Sequence, residues 1–459
     1  MYLTKILSLW NRLTTGSTNR KILGAAITVG LGVGFSKGIA VLKELVVAWK
    51  FGTGDELDAY FIAIMVPFFI INIVAGALNE ALVPTYIQVL EKEGKKSAQS
   101  LLSGAMSLAL SLLVITAILI VVAAPIYVPL ITKGFNTQKT ELTFHLIYAV
   151  SPFVLISGCI IIFSSILNAR ERFALSAFTP TLTPAATIVF LLSLESWKTF
   201  SLVAGLLGGT TLEIIILGLE LKRQGISVLP KWHGFSKNLR QVVAQYLPSV
   251  TAAFLMCSTG IVDQSMAAML APGSVAALNY ADKVVVLPIF LTTTALNTAV
   301  TPYFSKMVAH HDWQGVLHTL KHYLRLIFLV TLPFTALLLL ASETIVKLLL
   351  QRGSFTPEDT QLVSQIQNCY ALQIPFYVGA VFLVQLIISI KKNRILMWGS
   401  ALNLIVNVIG NYTLMHFFGI QGIALSTSIV YLVSFIFLLL FSFKYLKEIT
   451  SNSKSEVNL

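Results

Sequence analysis

Long apolar runs, separated by short polar segments, make up most of the chain. They reach the roughly 20 residues that a helix needs to cross the hydrocarbon of a membrane. The runs lie near residues 24–50, 59–87, 99–124, 143–168, 175–194, 199–221, 240–271, 275–304, 316–346, 362–390, 395–416 and 420–443. This pattern predicts an all-α, polytopic membrane protein with about twelve transmembrane helices.

The segments outside these runs predict the domain organisation. Apolar residues between Leu3 and Leu13 recur at helical spacing among basic residues, which is typical of an amphipathic segment on the membrane surface. We therefore predict an amphipathic segment, an N-lobe with helices 1–6, a cytoplasmic linker, a C-lobe with helices 7–12, and a cytoplasmic tail. Their ranges are 1–21, 22–223, 224–239, 240–447 and 448–459.

Composition supports a membrane protein and argues against catalysis. Hydrophobic residues make up 56% of the chain and charged residues 11%, against roughly 45–50% and 25% in average soluble domains. So little charge cannot cover soluble domains, which excludes soluble enzymes, coiled coils and disordered scaffolds. The chain has no G-x-x-x-x-G-K-[ST] loop, and His318 and His322 lack the glutamate of a zinc-protease helix. We expect no enzyme, no cofactor and no metal site.

The placement of the positive charge predicts the orientation. The formal net charge is +12, but most lysines and arginines lie between the apolar runs, which argues against a nucleic-acid partner. With a cytoplasmic N-terminus, about 22 of them fall in cytoplasmic segments and about four in external loops. The excess of basic residues on one side predicts that both termini are cytoplasmic.

The two halves of the sequence resemble each other. Residues 77–84 (ALNEALVP) correspond to residues 295–302 (ALNTAVTP). Further matches at similar spacing are Pro67 with Pro288, Lys133-Gly134 with Arg352-Gly353, and Pro152-Phe153 with Pro375-Phe376. We interpret them as a duplicated six-helix unit in two parallel copies, with convergent membrane composition as the alternative. Transporters often bind substrate between such repeats, in a central cavity.

Polar residues inside the apolar runs are the candidate site residues. An ionisable group at the bilayer centre costs about 2.5–3.5 kcal/mol on translocon scales, so it usually faces a cavity or a partner. We assign Lys37, Lys43, Lys283 and Asn79 to substrate binding, Glu44, Asp58, Glu80 and Asp282 to charge partners in the cavity, and Asp263 and Glu213 to ion coupling. The alternatives are ion pairs within the bundle, lysines that reach the interface, and neutral buried carboxyls.

Short motifs add a family resemblance. They are FSK at 35–37, Lys43-Glu44, FGTG at 51–54, DAYF at 58–61 and AGALNEALVP at 75–84, with YADK at 280–283 and ILNARERF at 166–173. With these motifs the chain resembles the MurJ/MviN family of lipid II flippases, in the multidrug/oligosaccharidyl-lipid/polysaccharide exporter superfamily.

The resemblance implies a flippase that moves an undecaprenyl-pyrophosphate-linked saccharide, lipid II or a related cell-wall precursor, to the outer leaflet of the bacterial inner membrane by alternating access. Lys37, Lys43 and Lys283 occupy positions of family arginines, and Asp58 that of a family aspartate. The implied partners are the lipid-linked saccharide, membrane lipids and proteins of cell-envelope biosynthesis.

The sequence departs from the family pattern at several positions. The three lysines keep the charge but lack the planar fork with which arginine binds phosphate. Ile71-Asn72 replaces a basic pair and Val286 an acidic residue. The last pair of helices common in the family has no counterpart among the predicted spans.

These departures leave other functions open. One alternative is export of another lipid-linked polysaccharide unit, as for exopolysaccharide, capsule or O-antigen. A cation-coupled multidrug exporter is a second alternative, against which the buried lysines argue. A membrane-embedded assembly partner without transport is a third.

Overall fold

The computed structural model describes residues 18–232 and 234–457, and these residues are almost entirely helical. The α-helices are α1 (Thr18–Phe51), α2 (Asp55–Ile71), α3 (Ala77–Lys92), α4 (Lys95–Ile131), α5 (Thr137–Val150), α6 (Pro152–Ala169), α7 (Phe173–Phe178), α8 (Leu182–Ser193), α9 (Thr199–Arg223), α10 (Lys237–Ala267), α11 (Ser274–Ala309), α12 (Trp313–Leu350), α13 (Pro357–Ala371), α14 (Ile374–Ser389), α15 (Arg394–Phe418) and α16 (Ile420–Val457). A π-helical turn at Asn72–Gly76 joins α2 to α3, and 3-10 turns at Thr179–Thr181 and Glu195–Trp197 flank α8.

The predicted all-α membrane fold is confirmed. Over the described residues, nine helical segments are long and apolar enough to cross a membrane, and the bent pair α13–α14 would be a tenth. The predicted spans near 24–50 and 275–304 correspond to α1 and α11, which have 34 and 36 residues. At 1.5 Å per residue, each is longer than the roughly 30 Å of hydrocarbon. Most of the segment predicted to be amphipathic lies outside the described residues.

The chain divides into two compact units. The first holds the described part of Met1–Val47 together with Ala63–Pro129 and Thr137–Phe254. The second holds Ala48–Ile62, Leu130–Asn136 and the described part of Leu255–Leu459. The unit boundaries fall within α1, α2, α4 and α10, and the predicted lobe boundaries remain predictions.

The first unit has a hydrophobic core between α3, α4, α6 and α9. Tyr86, Leu102 and Leu221 are almost completely buried in it. The buried Tyr86 hydroxyl is satisfied because Arg170 donates a hydrogen bond of 3.0 Å to it. The predicted linker is also bound to this unit, since the Ser227 amide and the side chain of Gln99 exchange hydrogen bonds.

Helices α8 and α9 approach each other very closely in the first unit. Gly205 and Gly209 on α9 face Thr187 and Thr183 on α8, and a Cβ atom on either glycine would overlap the backbone of the opposite threonine. Small residues at four-residue spacing permit this approach, as is common between membrane helices. The two helices are antiparallel, so the next position along the same stripe of α9 is Glu213.

The second unit is built around α11, α13, α14 and α16. Phe328, Phe376 and Phe435 form an aromatic cluster between its helices, with ring centroids 5.4–6.1 Å apart. The short segments Ala48–Ile62 and Leu130–Asn136 are part of this unit although the second sequence half provides the rest of it.

Two loops in the second unit have matching contacts. Gly134 lies against the backbone of Ala268 and Met269, at the end of α10, and Gly353 lies against Trp49, at the end of α1. Gly353 has φ +61°, and the next amide, that of Ser354, donates a 2.8 Å hydrogen bond to the Trp49 carbonyl. Gly134 and Gly353 correspond in the internal repeat, so each sequence half holds the end of the other half's first helix. This reciprocity is what a duplicated unit should give.

We expect Gly205→Ala to destabilise the protein by about 1–3 kcal/mol, because the added methyl group must push α8 and α9 apart. Thermal unfolding in detergent measures this loss. Gly218→Ala is the matched control on the same helix, since its Cβ would lie 3.5 Å from the Phe163 ring, an ordinary contact. Equal unfolding temperatures for the two variants would contradict the close approach.

Candidate functional site

Asp58 binds the N-terminus of α11. It lies in the first turn of α2 and is 1% exposed. Its two carboxylate oxygens accept hydrogen bonds of 2.7 Å from the backbone amides of Gly273 and Ala276. A carboxylate at this position is favoured twice, since it satisfies free amide groups and lies at the positive end of the helix dipole. The prediction that Asp58 is a charge partner of a cavity lysine is not tested by these contacts and stays a prediction.

The loop before Asp58 completes this attachment. Gly273, which precedes α11, has φ +84°, a conformation that glycine adopts without strain. Its Cα also lies against the carbonyl group of Thr53. The Thr53 hydroxyl in turn donates a hydrogen bond to Asp359, whose carboxylate also accepts from the Thr356 amide at the start of α13. The FGTG…D motif thus binds the N-termini of two helices in the second unit.

Lys283 lies against aromatic rings. It is on α11, and its Nζ atom is 4.7 Å from the centroid of the Phe61 ring and 6.0 Å from that of Tyr280. Both rings are at least nine-tenths buried. The face of an aromatic ring attracts a cation by about 0.5–2 kcal/mol, but it does not cancel the charge. The contact therefore positions a substrate-binding candidate while its positive charge remains.

Asp263 is the centre of a hydrogen-bonded cluster. Its Oδ1 atom accepts hydrogen bonds from the side-chain amides of Asn407, at 2.8 Å, and Asn411, at 2.6 Å, both on α15. Thr427 on α16 lies 3.4 Å from Oδ2. Both asparagines are completely buried, and within the described chain neither of their amide oxygens has a hydrogen-bond partner. Carboxylate, amide and hydroxyl oxygens are typical ligands of hard cations.

A polar cavity of about 210 Å³ adjoins this cluster. It is lined by Asp263 and Asp282, by Gln264 and Asn279, and by the phenol groups of Tyr370 and Tyr431. Asp282 lies within electrostatic range of both Asp263 and Lys283. The cavity has room for several water molecules and carries two carboxyl groups. Its two carboxyl groups would attract a cation rather than an anion, and the ion-coupling role of Asp263 stays a prediction.

The basic candidates of the first unit are on α1. Lys37 is exposed, whereas Lys43 forms a 2.5 Å ion pair with Glu44. Both members of this pair are partly accessible, at 24% and 16% exposure. Glu44, a predicted charge partner, thus pairs with Lys43. Whether these lysines line a cavity stays a prediction.

Asn79 and Glu80 follow the π-helical turn at Asn72–Gly76. Among the described residues, the side-chain oxygen of Asn79 is buried and has no hydrogen-bond partner, whereas Glu80 is exposed. A π-helical turn inside an α-helix is uncommon and often occurs at functional sites. Its position next to Asn79 is consistent with substrate binding there, and the role of Glu80 as a charge partner stays a prediction.

Glu213 is on α9 and is 5% exposed. Its carboxyl group faces α8. The Thr183 hydroxyl lies 3.5 Å from its Oε2 atom. The structure places Glu213 in the first unit and Asp263 in the second, so the two ion-coupling candidates belong to separate sites.

Sequence reasoning missed Phe61, Asn407, Asn411 and Thr427. A usable signal was present for the asparagines, because residues 403, 407 and 411 form an i, i+4, i+8 series of amides on one face of an apolar run. The role of Phe61 had no such signal, since its partner Lys283 is more than two hundred residues away. Across the described residues, no group of three or more His, Cys, Asp or Glu side chains could hold a metal ion.

Solved structures with the same fold are transporters. The structure titled "Lipid II flippase MurJ, inward closed conformation" matches with a TM-score of 0.79 and 24% identity, over 93% of this chain and 90% of that chain. An inward-facing multidrug transporter of the MATE family matches with a TM-score of 0.77 and 14% identity, over 90% and 96%. The class is therefore a multi-pass helical fold, the one found in these two solved transporter structures.

Sequence comparisons narrow the class to one family. The family model "Lipid II flippase MurJ" matches residues 47–459. Relatives described as "Probable lipid II flippase MurJ" include one from Synechocystis sp., 25% identical over 90% of this chain and 80% of the relative, and one from Thermotoga maritima, 26% identical over 90% and 84%. The chain belongs to the lipid II flippase MurJ family, whose members are transporters and not enzymes.

We expect Asp58→Asn to destabilise the protein by about 1–3 kcal/mol, because hydrogen bonds to charged groups are the stronger ones and this variant removes the charge. Hydrogen exchange of the first-turn amides of α11 should become faster. Asp55→Asn, one turn earlier on α2, is the control and should leave exchange at α11 unchanged. Unaltered protection of α11 in Asp58→Asn would contradict the role of this carboxylate.

Proposed function

We propose that this protein moves lipid II from the inner to the outer leaflet of the bacterial inner membrane. The family match over residues 47–459 carries this proposal, and it favours lipid II over the multidrug and other lipid-linked alternatives. In the predicted orientation, both termini and the basic loops lie in the cytoplasm. Transport therefore starts on the side of the membrane that carries the basic loops.

Lys37, Lys43 and Lys283 bind the diphosphate of the substrate in this proposal. A doubly phosphorylated headgroup cannot enter hydrocarbon without counter-charges, and ammonium groups supply them. The Phe61 ring positions the Lys283 ammonium group for this role, since a cation–π contact attracts a cation and leaves its N–H donors able to bind phosphate. Lys43 is held by Glu44 and exchanges this partner for phosphate when substrate arrives. Asn79 offers an unsatisfied amide oxygen to a hydroxyl of the saccharide.

The Asp263 cluster binds a coupling cation in the proposed cycle. It combines a carboxylate, two buried amides and a hydroxyl beside a polar cavity, within one unit. Asp282 connects the two sites, because it lines this cavity and is the chain neighbour of Lys283. A cation near Asp282 weakens the attraction between Asp282 and Lys283, and the lysine then becomes available to phosphate.

Proteins of cell-envelope biosynthesis are the proposed protein partners, as source and consumer of the lipid.

Lys283→Gln should slow the leaflet exchange of labelled lipid II in proteoliposomes roughly 10- to 100-fold, because a contact to a charged group contributes about 1.5–3 kcal/mol. Lys283→Arg should retain most of the exchange. Lys306→Gln, an exposed position near the end of the same helix, is the control. Exchange at the normal rate in Lys283→Gln would remove this lysine from the site.

The same assay tests the substrate. Labelled lipid II and a polyprenyl-pyrophosphate lipid that carries a different saccharide are compared in parallel vesicles. Faster exchange of lipid II supports the proposal. Exchange of the second lipid alone would overturn it in favour of another polysaccharide precursor.

Asp263→Asn should reduce the stimulation of exchange by a cation gradient about tenfold, a typical coupling between two sites. Exchange is measured with gradients of Na⁺, K⁺ and H⁺ in turn, so the responding ion is identified. The exposed Glu358→Gln, in the same unit, is the control. A full response to every gradient in Asp263→Asn would show that the cluster does not couple.

A further inference from the structure

The first unit contains a buried carboxylate that the proposed cycle does not use. Glu213 follows Gly205 and Gly209 at four-residue spacing on α9, and these glycines face Thr187 and Thr183 on α8. The register of the antiparallel pair brings Glu213 to the 3-10 turn Thr179–Thr181, just before α8. The close approach of the two helices thus seals the carboxyl group between them.

Threonine hydroxyl groups face this carboxyl group. The Thr183 hydroxyl is 3.5 Å from Oε2, and Thr179 is the second hydroxyl neighbour. Thr179 is 5% exposed, and within the described chain its oxygen has no well-formed hydrogen bond. The Thr181 oxygen, in the same turn, is equally unsatisfied. Buried hydroxyl groups without partners are uncommon, and one of these two, that of Thr179, is a neighbour of the Glu213 carboxyl group.

No described residue forms an ion pair with Glu213. Neither α7 nor α8 has a titratable side chain. The titratable groups on the other elements of the first unit near α9 are Cys159 on α6, Lys139, Glu141, His145 and Tyr148 on α5, Glu195 before α9, Glu220, Lys222 and Arg223 on α9, and Lys37, Lys43 and Glu44 on α1. Of these, Glu220 accepts a hydrogen bond from the Gln224 side chain, which follows α9 directly, and Lys43 forms an ion pair with Glu44.

We propose that Glu213 is a proton-binding site of the first unit, and that the proton stays bound while α8 and α9 are closely packed. A carboxylate acts only as an acceptor, whereas a protonated carboxyl group also donates a hydrogen bond, which the neighbouring Thr179 hydroxyl can accept as readily as it donates one. The proton removes a charge that would otherwise be buried without an ion-pair partner among the described residues, at high cost. Ca²⁺ takes about six to eight oxygen ligands and Mg²⁺ about six, more than one carboxylate and two facing hydroxyls provide, and the Asp263 cluster offers more groups than this site does. The proton is therefore the ligand.

Loading and release follow from the packing of the two helices. While Gly205 and Gly209 touch α8, water does not reach Glu213 and the proton stays. When α8 and α9 separate, water solvates the carboxylate and the proton leaves. Proton release is thus tied to a rearrangement in the first unit, separate from the cation cluster of the second. This inference deepens the proposed function and rests on it only for the transport measurement.

Infrared difference spectroscopy of the full chain in lipid tests the site without any substrate. The Asp263→Asn background removes one other buried carboxyl group. In that background, raising the pH should remove a carbonyl band of a protonated carboxylic acid, and Glu213→Gln should lack the band altogether. Thr179→Val should shift its frequency, because the hydrogen bond is lost. Glu220→Gln, two turns along the same helix, should leave the band unchanged.

The decisive outcomes are distinct. A spectrum that is the same with and without Glu213→Gln would overturn the proposal, even if lipid II exchange is normal. A titration of the band by Na⁺ at fixed pH would replace the proton by a metal cation and would also overturn it. If the band behaves as expected but lipid II is not exchanged, only the proposed substrate fails.

Transport supplies the second measurement. The pH dependence of lipid II exchange should become about tenfold weaker in Glu213→Gln, as expected when one of two coupled sites is lost. The response to the cation that Asp263 binds should persist. Unchanged pH dependence in this variant, with normal thermal stability, would contradict a role in coupling.

Discussion

Polar groups at membrane depth need a partner, and this constraint determines how the helices of this protein are attached to one another. Asp58 is satisfied by backbone amides at the start of α11, Lys283 by aromatic faces, and Asp263 by asparagine amides on α15. In each case the two partners are on different helices. The free energy of a buried charge therefore depends on the relative position of two helices, and a change in that charge can move them.

The kind of partner decides what each charged group can do. The Lys283 ammonium group lies against the Phe61 ring, and a cation–π contact attracts a cation without removing its charge. Lys43 is already neutralised by Glu44 and must change partner to bind an anion. The carboxyl groups of Asp263 and Glu213 have different surroundings. Asp263 lies among amide donors beside a polar cavity in the second unit, whereas Glu213 faces hydroxyl groups between tightly packed helices in the first.

Local signals in the sequence were enough to predict the membrane helices. Most runs of apolar residues correspond to long helices, but prolines near the start of α6 and α14 divide the predicted runs 143–168 and 362–390 into two helices each. The charged candidates on α1 and α11 were also visible, because a lysine in an apolar run is rare. Their partners were not visible. Asp263 and Asn411 are 148 residues apart, and only the fold brings them within 2.6 Å. The amide donors to Asp58 are backbone groups, which side-chain patterns do not reveal.

The reciprocal contacts of Gly134 and Gly353 restrict how the duplicated halves can diverge. In both cases a Cβ atom added to the glycine would meet main-chain atoms, of Ala268 and Met269 or of Trp49, and at Gly353 it would meet the Trp49 ring as well. A side chain introduced at a glycine could be accommodated elsewhere by shortening the facing residue, but a peptide group cannot be shortened. Neither loop can therefore be repaired by a compensating substitution opposite it. The two copies must retain these glycines together, however different the rest of their sequences becomes.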